Sequence, residues 1–152
     1  MDINIRKAVG RDIPQIETIT AEAYQKYIVV MGKTPAPMVA DYAAHLANDI
    51  IYVVEDTKQN TIIGYAVIVV KDQEYWLETI AIAPDRSKQG IGTRLIRFVE
   101  DVIARSATEY QLYTNVKMLE NIDWYQRLGF TEVRRERVDG YERVYFIKRL
   151  TQ

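Results

Sequence analysis

Leu77-Glu-Thr-Ile-Ala-Ile-Ala-Pro-Asp-Arg-Ser-Lys-Gln-Gly-Ile-Gly-Thr-Arg-Leu-Ile96 is the stretch on which the fold turns. From Tyr75 to Ala83 the chain alternates. Trp76, Glu78, Ile80 and Ile82 fall on one face and Leu77, Thr79 and Ala81 on the other, which predicts a strand. Pro84 ends it. A short polar loop follows, and Gly90-Ile91-Gly92 opens a helix running to Ala104. Leu95, Ile96, Phe98, Val99, Val102 and Ile103 form its broad apolar stripe. The two glycines leave the backbone bare of side chains. The N–H groups of a first helical turn have no partner within the helix, and the helix dipole favours an anion there. Arg86, Lys88 and Arg94 add positive charge nearby. The chemistry is that of a phosphate or pyrophosphate cradle. A glycine pair alone is a weak motif, and the strand–loop–helix setting is what strengthens it.

Working outward, Asp2 to Ala8 suits a first strand. Asp12-Ile13-Pro14-Gln15 opens a helix with Asp12 as N-cap and Gln15 at the capping-box position. Ile13, Ile16, Ala23, Tyr24 and Tyr27 share its apolar face; Gly32, Pro35 and Pro37 break it, and Met38 to Ala47 reads as a second helix. Ile50 to Val54 and the almost uninterrupted apolar run from Thr61 to Val70 are strands, the second covered on both faces. Beyond the glycine helix come a strand at Tyr110 to Thr114 and a helix at Met118 to Leu128, with Gly129 as its C′ residue. Phe130 to Arg137 and Tyr141 to Lys148 alternate around Asp139-Gly140, a hairpin signal. Successive strands joined by short turns pair antiparallel, while strand–helix–strand implies one parallel crossover. The expectation is one α/β domain over residues 1–152. Its mixed, twisted sheet of six or seven strands carries about four helices distributed over both faces.

Composition removes other chemistries. The chain has 152 residues, a net charge of −1, one His and no Cys. No disulfide framework, thiolate metal site or Cys nucleophile exists, and no metal site is expected. A Ser-His-Asp triad would have to use His45, which reads as a surface helix residue. Near-zero charge argues against nucleic-acid binding. No apolar run is long enough to span a membrane. The stretch from Met1 to Asp12 lacks an apolar signal core, so a cytoplasmic location is expected. A P-loop is excluded because G-x-x-x-x-G-K-[ST] is missing. A dinucleotide-binding oxidoreductase would want a small residue where Leu95 stands and its glycines directly behind the first strand; it is the lesser alternative.

The frame Ser87-Lys88-Gln89-Gly90-Ile91-Gly92, after Ile82-Ala83-Pro84, resembles the [QR]-x-x-G-x-[GA] motif of the GNAT superfamily of acyl-CoA-dependent N-acyltransferases. Trp124-Tyr125-Gln-Arg-Leu-Gly129-Phe130 resembles that family's late Y-x-x-x-G-F helix end. The order of elements agrees over essentially the whole chain. Ser87 stands where the family usually has Gln or Arg; its hydroxyl can still reach a phosphate, with Arg86 supplying charge beside it. The resemblance implies the three-layer α/β/α acyltransferase fold, acetyl-CoA as acyl donor, and a small-molecule or peptide amine as acceptor. It also implies a homodimer as one assembly, with the apolar hairpin end as a surface. By the same resemblance, Gln89, Gly90, Ile91, Gly92 and Thr93 would hold the CoA pyrophosphate, with Arg86, Ser87 and Lys88 as further cofactor-binding residues. The strand end Ile80-Ala81-Ile82 would pair with the pantetheine arm like an added strand, and a bulge there would aim the Ile82 amide at the thioester carbonyl. Asn121, with Asn115 as second choice, is the candidate for a helix-start contact to the cofactor.

Transfer from a thioester to an amine needs a neutral amine, stabilisation of the developing oxyanion, and a proton for the departing thiolate. Without Cys, a cysteinyl acyl-enzyme is impossible, so direct attack in a ternary complex is expected. Tyr125, whose position in the late helix before Gly129-Phe130 resembles that of the family's acid, is by that resemblance the candidate general acid, and a phenol is protonated at neutral pH; otherwise it is core. Glu78, expected among apolar neighbours, is the candidate base, directly or through a water; otherwise it is an ion-pair partner. Tyr24, Tyr27, Met31, Met38 and Tyr42 are candidate walls for the acceptor, or else core or dimer contacts. A non-catalytic module that only holds CoA is the alternative from the binding class.

Overall fold

The computed structural model describes residues 2–150. Its strands are β1 (Ile3–Lys7), β2 (Ile50–Asp56), β3 (Thr61–Lys71), β4 (Glu74–Ile82), β5 (Glu109–Asn115), β6 (Thr131–Val138) and β7 (Tyr141–Arg149). They form one mixed sheet in the order β1-β2-β3-β4-β5-β7-β6, in which only β4 and β5 are parallel neighbours. The helices are α1 (Ile13–Tyr24), α2 (Lys26–Met31), α3 (Ala36–Val39), α4 (Tyr42–Asn48), α5 (Ile91–Ala104) and α6 (Leu119–Arg127). The first four lie between β1 and β2; α5 makes the β4–β5 crossover and α6 links β5 to β6.

Burial explains the layers. On one face the α5 stripe Leu95, Ile96, Val99 and Ile103 packs with Ala66, Ile68, Leu77 and Ile80. On the other, Ile16, Ile19 and Tyr24 of α1 pack with Val53, Tyr65, Val67 and Ala81. Strand β3 is buried from Ile62 to Ile68, so both of its faces are covered, as the unbroken apolar run implies. Asp139 and Gly140 both take positive φ, 51° and 81°, as a tight I′-type hairpin turn requires. Gly129, with φ 101°, follows the C-cap of α6 as expected.

The structure corrects several local expectations. The region read as two helices holds four short ones. Gly32 closes α2 in the left-handed conformation, and Pro35 and Pro37 confine α3 to a single turn. Asp12 does not cap α1 through its side chain. It accepts the Val9 N–H at 2.8 Å and pairs with Arg6 at 2.8 Å, while the Gln15 amide oxygen accepts from the Ile62 N–H at 2.8 Å. The β3–β4 register jumps from Val67↔Thr79 to Ile68↔Leu77, leaving Glu78 as an extra residue. The bulge therefore sits at Glu78 and not at Ile82. It also resets the alternation: Leu77, Ile80 and Ile82 join the α5 side, so Glu78 does not share their face. Finally, the hairpin end is not apolar. β6 is exposed along almost its whole length, and its Arg134, Arg135 and Arg137 each pair with a glutamate.

Candidate active site

The site grows from the bulge. β4 and β5 pair at Trp76↔Gln111, and beyond that residue the ladder between them stops. β4 continues to Ile82, paired on its other edge with β3, so the β5-facing edge of Thr79–Ile82 has no strand partner. A bulge bends its strand and raises the local twist, which suits the parting. A cavity of about 90 Å³ lies there, lined by Glu78, Thr79 and Ile80 of β4, Tyr113 to Asn115 of β5, and Met118, Asn121 and Tyr125 around α6.

Glu78 and Tyr125 both border this cavity. Glu78 is half-buried and accepts a 2.8 Å hydrogen bond from the Tyr113 hydroxyl. Its surroundings are thus more polar than expected. Burial first, and then the Glu78 charge, raise the Tyr113 pKa, so Tyr113 remains a donor. The Tyr125 ring is buried against Phe130, Phe146 and Trp124, with centroids 5.6, 6.1 and 5.3 Å away. Among the described residues nothing hydrogen-bonds its hydroxyl, and no buried side-chain polar atom is left unpaired, so that hydroxyl must reach accessible surface. Burial raises its pKa above the ordinary phenol value, with a smaller contribution from Tyr27. It therefore carries its proton throughout the neutral range. Tyr24 donates to the Ile80 carbonyl at 3.3 Å from the α1 side.

The glycine loop divides into parts that are free and parts that are engaged. Gly90 is the N-cap of α5 at φ 79°, with open space where a Cβ would stand. The first intrahelical bond runs from the Arg94 N–H to the Gly90 carbonyl at 3.1 Å, so the N–H groups of Ile91, Gly92 and Thr93 precede it. Lys88 and Gln89 are exposed, Thr93 is half-buried, and the Ile91 side chain lies in the core. Gly92 is not bare: a Cβ there would meet Trp124 at 3.3 Å. Ser87 spends its hydroxyl on the Pro84 carbonyl at 2.9 Å. Arg86 is drawn back to the β2–β3 turn, 2.8 Å from Asp56 and 3.0 Å from Gln59. This ion pair, with backbone N–H bonds, holds the Asp56 carboxyl below its usual range. Ile80, Ala81 and Ile82 pair with β3 on one edge and lack a strand partner on the β5-facing edge, while the Ile80 carbonyl is taken by Tyr24. Asn121 borders the cavity with its amide on the Met118 sulfur, and Asn115 uses its side chain to cap the Lys117 N–H.

Of the candidate walls, Tyr24 and Met31 line the cavity. Tyr42 belongs instead to a buried hydroxyl cluster with Pro37, Tyr65 and Thr20; Tyr27 packs against Tyr24, and Met38 borders a separate small hollow. Sequence reading missed Tyr113, Tyr141 and Arg143, and it placed His45 on the surface. His45 is half-buried, borders the cavity and holds Asp49 at 2.8 Å. What brings Tyr113 to the site is tertiary pairing, not a signal in its own segment. Parallel pairing of Trp76 with Gln111 sets Tyr113 beside Glu78, two residues further along each strand. Among the described residues no helix is long and apolar enough to cross a membrane, and no cluster of three potential metal ligands occurs.

Residues 47–132 match the family model described as the acetyltransferase (GNAT) domain. No curated protein sequence matches this chain. Among solved structures, the ribosomal-protein-S18-alanine N-acetyltransferase from Escherichia coli superposes with a TM-score of 0.78 at 19% identity, over 99% of this chain and 96% of that one. A GNAT family acetyltransferase from Elizabethkingia anophelis with acetyl-CoA bound gives 0.74 at 19%, over 97% and 98%. The PaiA N-acetyltransferase from Thermoplasma acidophilum in complex with coenzyme A gives 0.76 at 15%, over 98% and 99%. The structural likenesses speak for the fold, and the family match spans more than half of the sequence: the chain belongs to the GNAT acetyltransferases.

Proposed function

We propose that residues 1–152 act as one N-acetyltransferase domain, moving an acetyl group from acetyl-CoA to a primary amine by direct attack. One observation carries this reading: β4 and β5 part beyond Trp76, and Glu78 and Tyr125 border the cavity at the parting. The solved relatives with acetyl-CoA or CoA bound support the choice of donor. The residues present fit that donor. The first-turn N–H groups of Ile91 to Thr93, beside bare Gly90, suit a pyrophosphate, and the free edge of Thr79–Ile82 suits an amide-bearing arm. Lys88 and Gln89 are exposed beside them, whereas Arg86 is held by Asp56 and Gln59 of the β2–β3 turn and Ser87 by the Pro84 carbonyl, so both contribute mainly by shaping the loop.

Acetyl-CoA supplies a carbonyl carbon already activated as a thioester. Glu78 takes the proton of the acceptor ammonium, directly or through a water. The freed amine nitrogen bonds the acetyl carbon as the carbon–sulfur bond breaks. Backbone N–H groups of the free β4 edge face the charge developing on the carbonyl oxygen. Tyr125 gives its proton to the leaving sulfur, the acylated nitrogen gives up its second proton to the resulting phenolate through water, and Glu78 returns its proton to solvent, so the products are an N-acetyl amide, CoA thiol and one proton. Tyr113 positions Glu78 through their hydrogen bond. Amine-dependent thiol release from acetyl-CoA, with the acetylated product identified by mass, tests the reading. Binding of acetyl-CoA without release by any amine would leave a CoA-holding module instead.

A further inference from the structure

Arg143, on β7, borders the same cavity and is the one arginine of the terminal hairpin placed there. It is half-buried, and its guanidinium lies over the Tyr113 ring, 4.0 Å from the centroid. Its one side-chain hydrogen bond is a long 3.4 Å contact to the Tyr145 hydroxyl. Among the described residues no carboxylate lies within ion-pair distance of it. The contrast with its neighbours is sharp. Arg134, Arg135 and Arg137 each hold a glutamate although all three are exposed to water where Arg143 is half-buried. Of the glutamates near Arg143, Glu136, its cross-strand partner, serves Tyr145 and Arg134, Glu142 serves Arg137, and Glu78, across the Tyr113 ring, acts on it only from beyond ion-pair distance while accepting from the Tyr113 hydroxyl. A guanidinium withdrawn from water without a carboxylate is costly, and its planar fork matches a carboxylate better than any other small group.

The Tyr113 ring links this cation to the candidate base. Its hydroxyl donates to Glu78 and its face carries Arg143. An acceptor spanning the two sites therefore needs a cationic nitrogen and an anionic group only a few bonds apart. Tyr24, Met31, Pro37 and Tyr141 supply apolar and aromatic wall around them.

We propose that the acceptor is a free amino acid, whose carboxylate is held by Arg143 while its amine meets Glu78, and whose apolar side chain lies against the Tyr24–Met31–Tyr141 wall. This rests on the N-acetyltransferase reading above and names the substrate class for it. A peptide N-terminus is the weaker match, because its nearest carbonyl is an uncharged amide.

The test compares leucine, methionine and phenylalanine with their amides and their decarboxylated amines as acceptors, by thiol release from acetyl-CoA. The amides have the more readily deprotonated amine, so intrinsic reactivity favours them, and a preference for the free acid must come from the site. For at least one set, the free acid is expected to exceed both analogues in kcat/KM by roughly 10–100-fold, the worth of a charge-assisted pair. Arg143→Gln should bring that ratio close to one, through a rise in KM for the free acid well beyond any change for its analogues; Arg143→Lys should restore part of it. Equal or better use of the amides or amines by the wild type would overturn the proposal. So would an Arg143→Gln variant that loses all acceptors alike, since the arginine would then be shaping the site. If no amine releases thiol, the transferase reading fails. Calorimetric binding of the same amino acids to the CoA-loaded protein then still decides the carboxylate site, which requires binding that Arg143→Gln abolishes.

Discussion

Tyr125 has its ring in the core and its hydroxyl unpaired, two properties that one substitution separates. Tyr125→Phe keeps the ring contacts with Phe130 and Phe146, so stability should hardly change. If the phenol protonates the leaving sulfur, kcat and kcat/KM should both fall by about 10²–10⁴-fold while the KM for acetyl-CoA stays nearly fixed. Steady-state kinetics with chemistry shown to be rate-limiting check this; wild-type turnover would return Tyr125 to a packing role. Glu78→Gln should depress turnover most near neutral pH and recover in part as rising pH deprotonates the acceptor unaided. A profile parallel to wild type would remove Glu78 as base. Away from the site, Asp12 is almost fully buried, and its carboxyl is held below the usual range, first by the Arg6 hydrogen bond and then by the Val9 N–H, against the opposing effect of burial. The folded state thus favours the ionised form. Its stabilisation is complete above the ordinary carboxylate pKa of about 4 and is lost as pH falls through the lower folded value. Asp12→Asn should cost about 1–3 kcal/mol at pH 7, read from urea midpoints, and the gap to wild type should narrow below about pH 4.

At the scale of elements, the start of α5 is the part most open to direct challenge. Gly90→Asp places a carboxylate beside the free N–H groups of Ile91 to Thr93, in space the structure leaves open. Acetyl-CoA affinity should drop more than tenfold by calorimetry with the far-ultraviolet circular dichroism preserved; the left-handed φ adds only about 1–2 kcal/mol of strain. Unchanged affinity would remove the phosphate role from this turn. Gly92 is the poorer probe, because any side chain there meets Trp124. The long strand, the α5 stripe and the Asp139-Gly140 turn were legible in the sequence because each follows from a local period or a local φ requirement. The bulge at Glu78 was not: which residue stands out of register is decided by the β3 partner, and nothing in Leu77-Glu78-Thr79 itself marks it. The division of the α1–α4 region was only half legible, since Gly32, Pro35 and Pro37 announce breaks without saying how many turns survive between them. Arg86 and Ser87 carry the composition of anion ligands, yet Asp56, thirty residues earlier, claims Arg86 by tertiary contact. Tyr113 and Arg143 entered the site through pairing in the sheet, which no single segment encodes.

At the scale of the whole molecule, the sheet, its two covered faces and the β4–β5 parting converge on one cavity, where donor and acceptor are proposed to meet. α5 brings a bare helix start to the end of β4, α6 brings Tyr125 across the gap, and the α1–α3 segments with β7 close the cavity. A structure of the protein with acetyl-CoA is the measurement that bears most directly on this arrangement. The expected result has the pyrophosphate on the N–H groups of Ile91 to Thr93, the pantetheine arm along the free edge of Thr79–Ile82, and the thioester between Glu78 and the Tyr125 hydroxyl. Acetyl-CoA bound elsewhere on the surface, or with its thioester remote from both side chains, would contradict it.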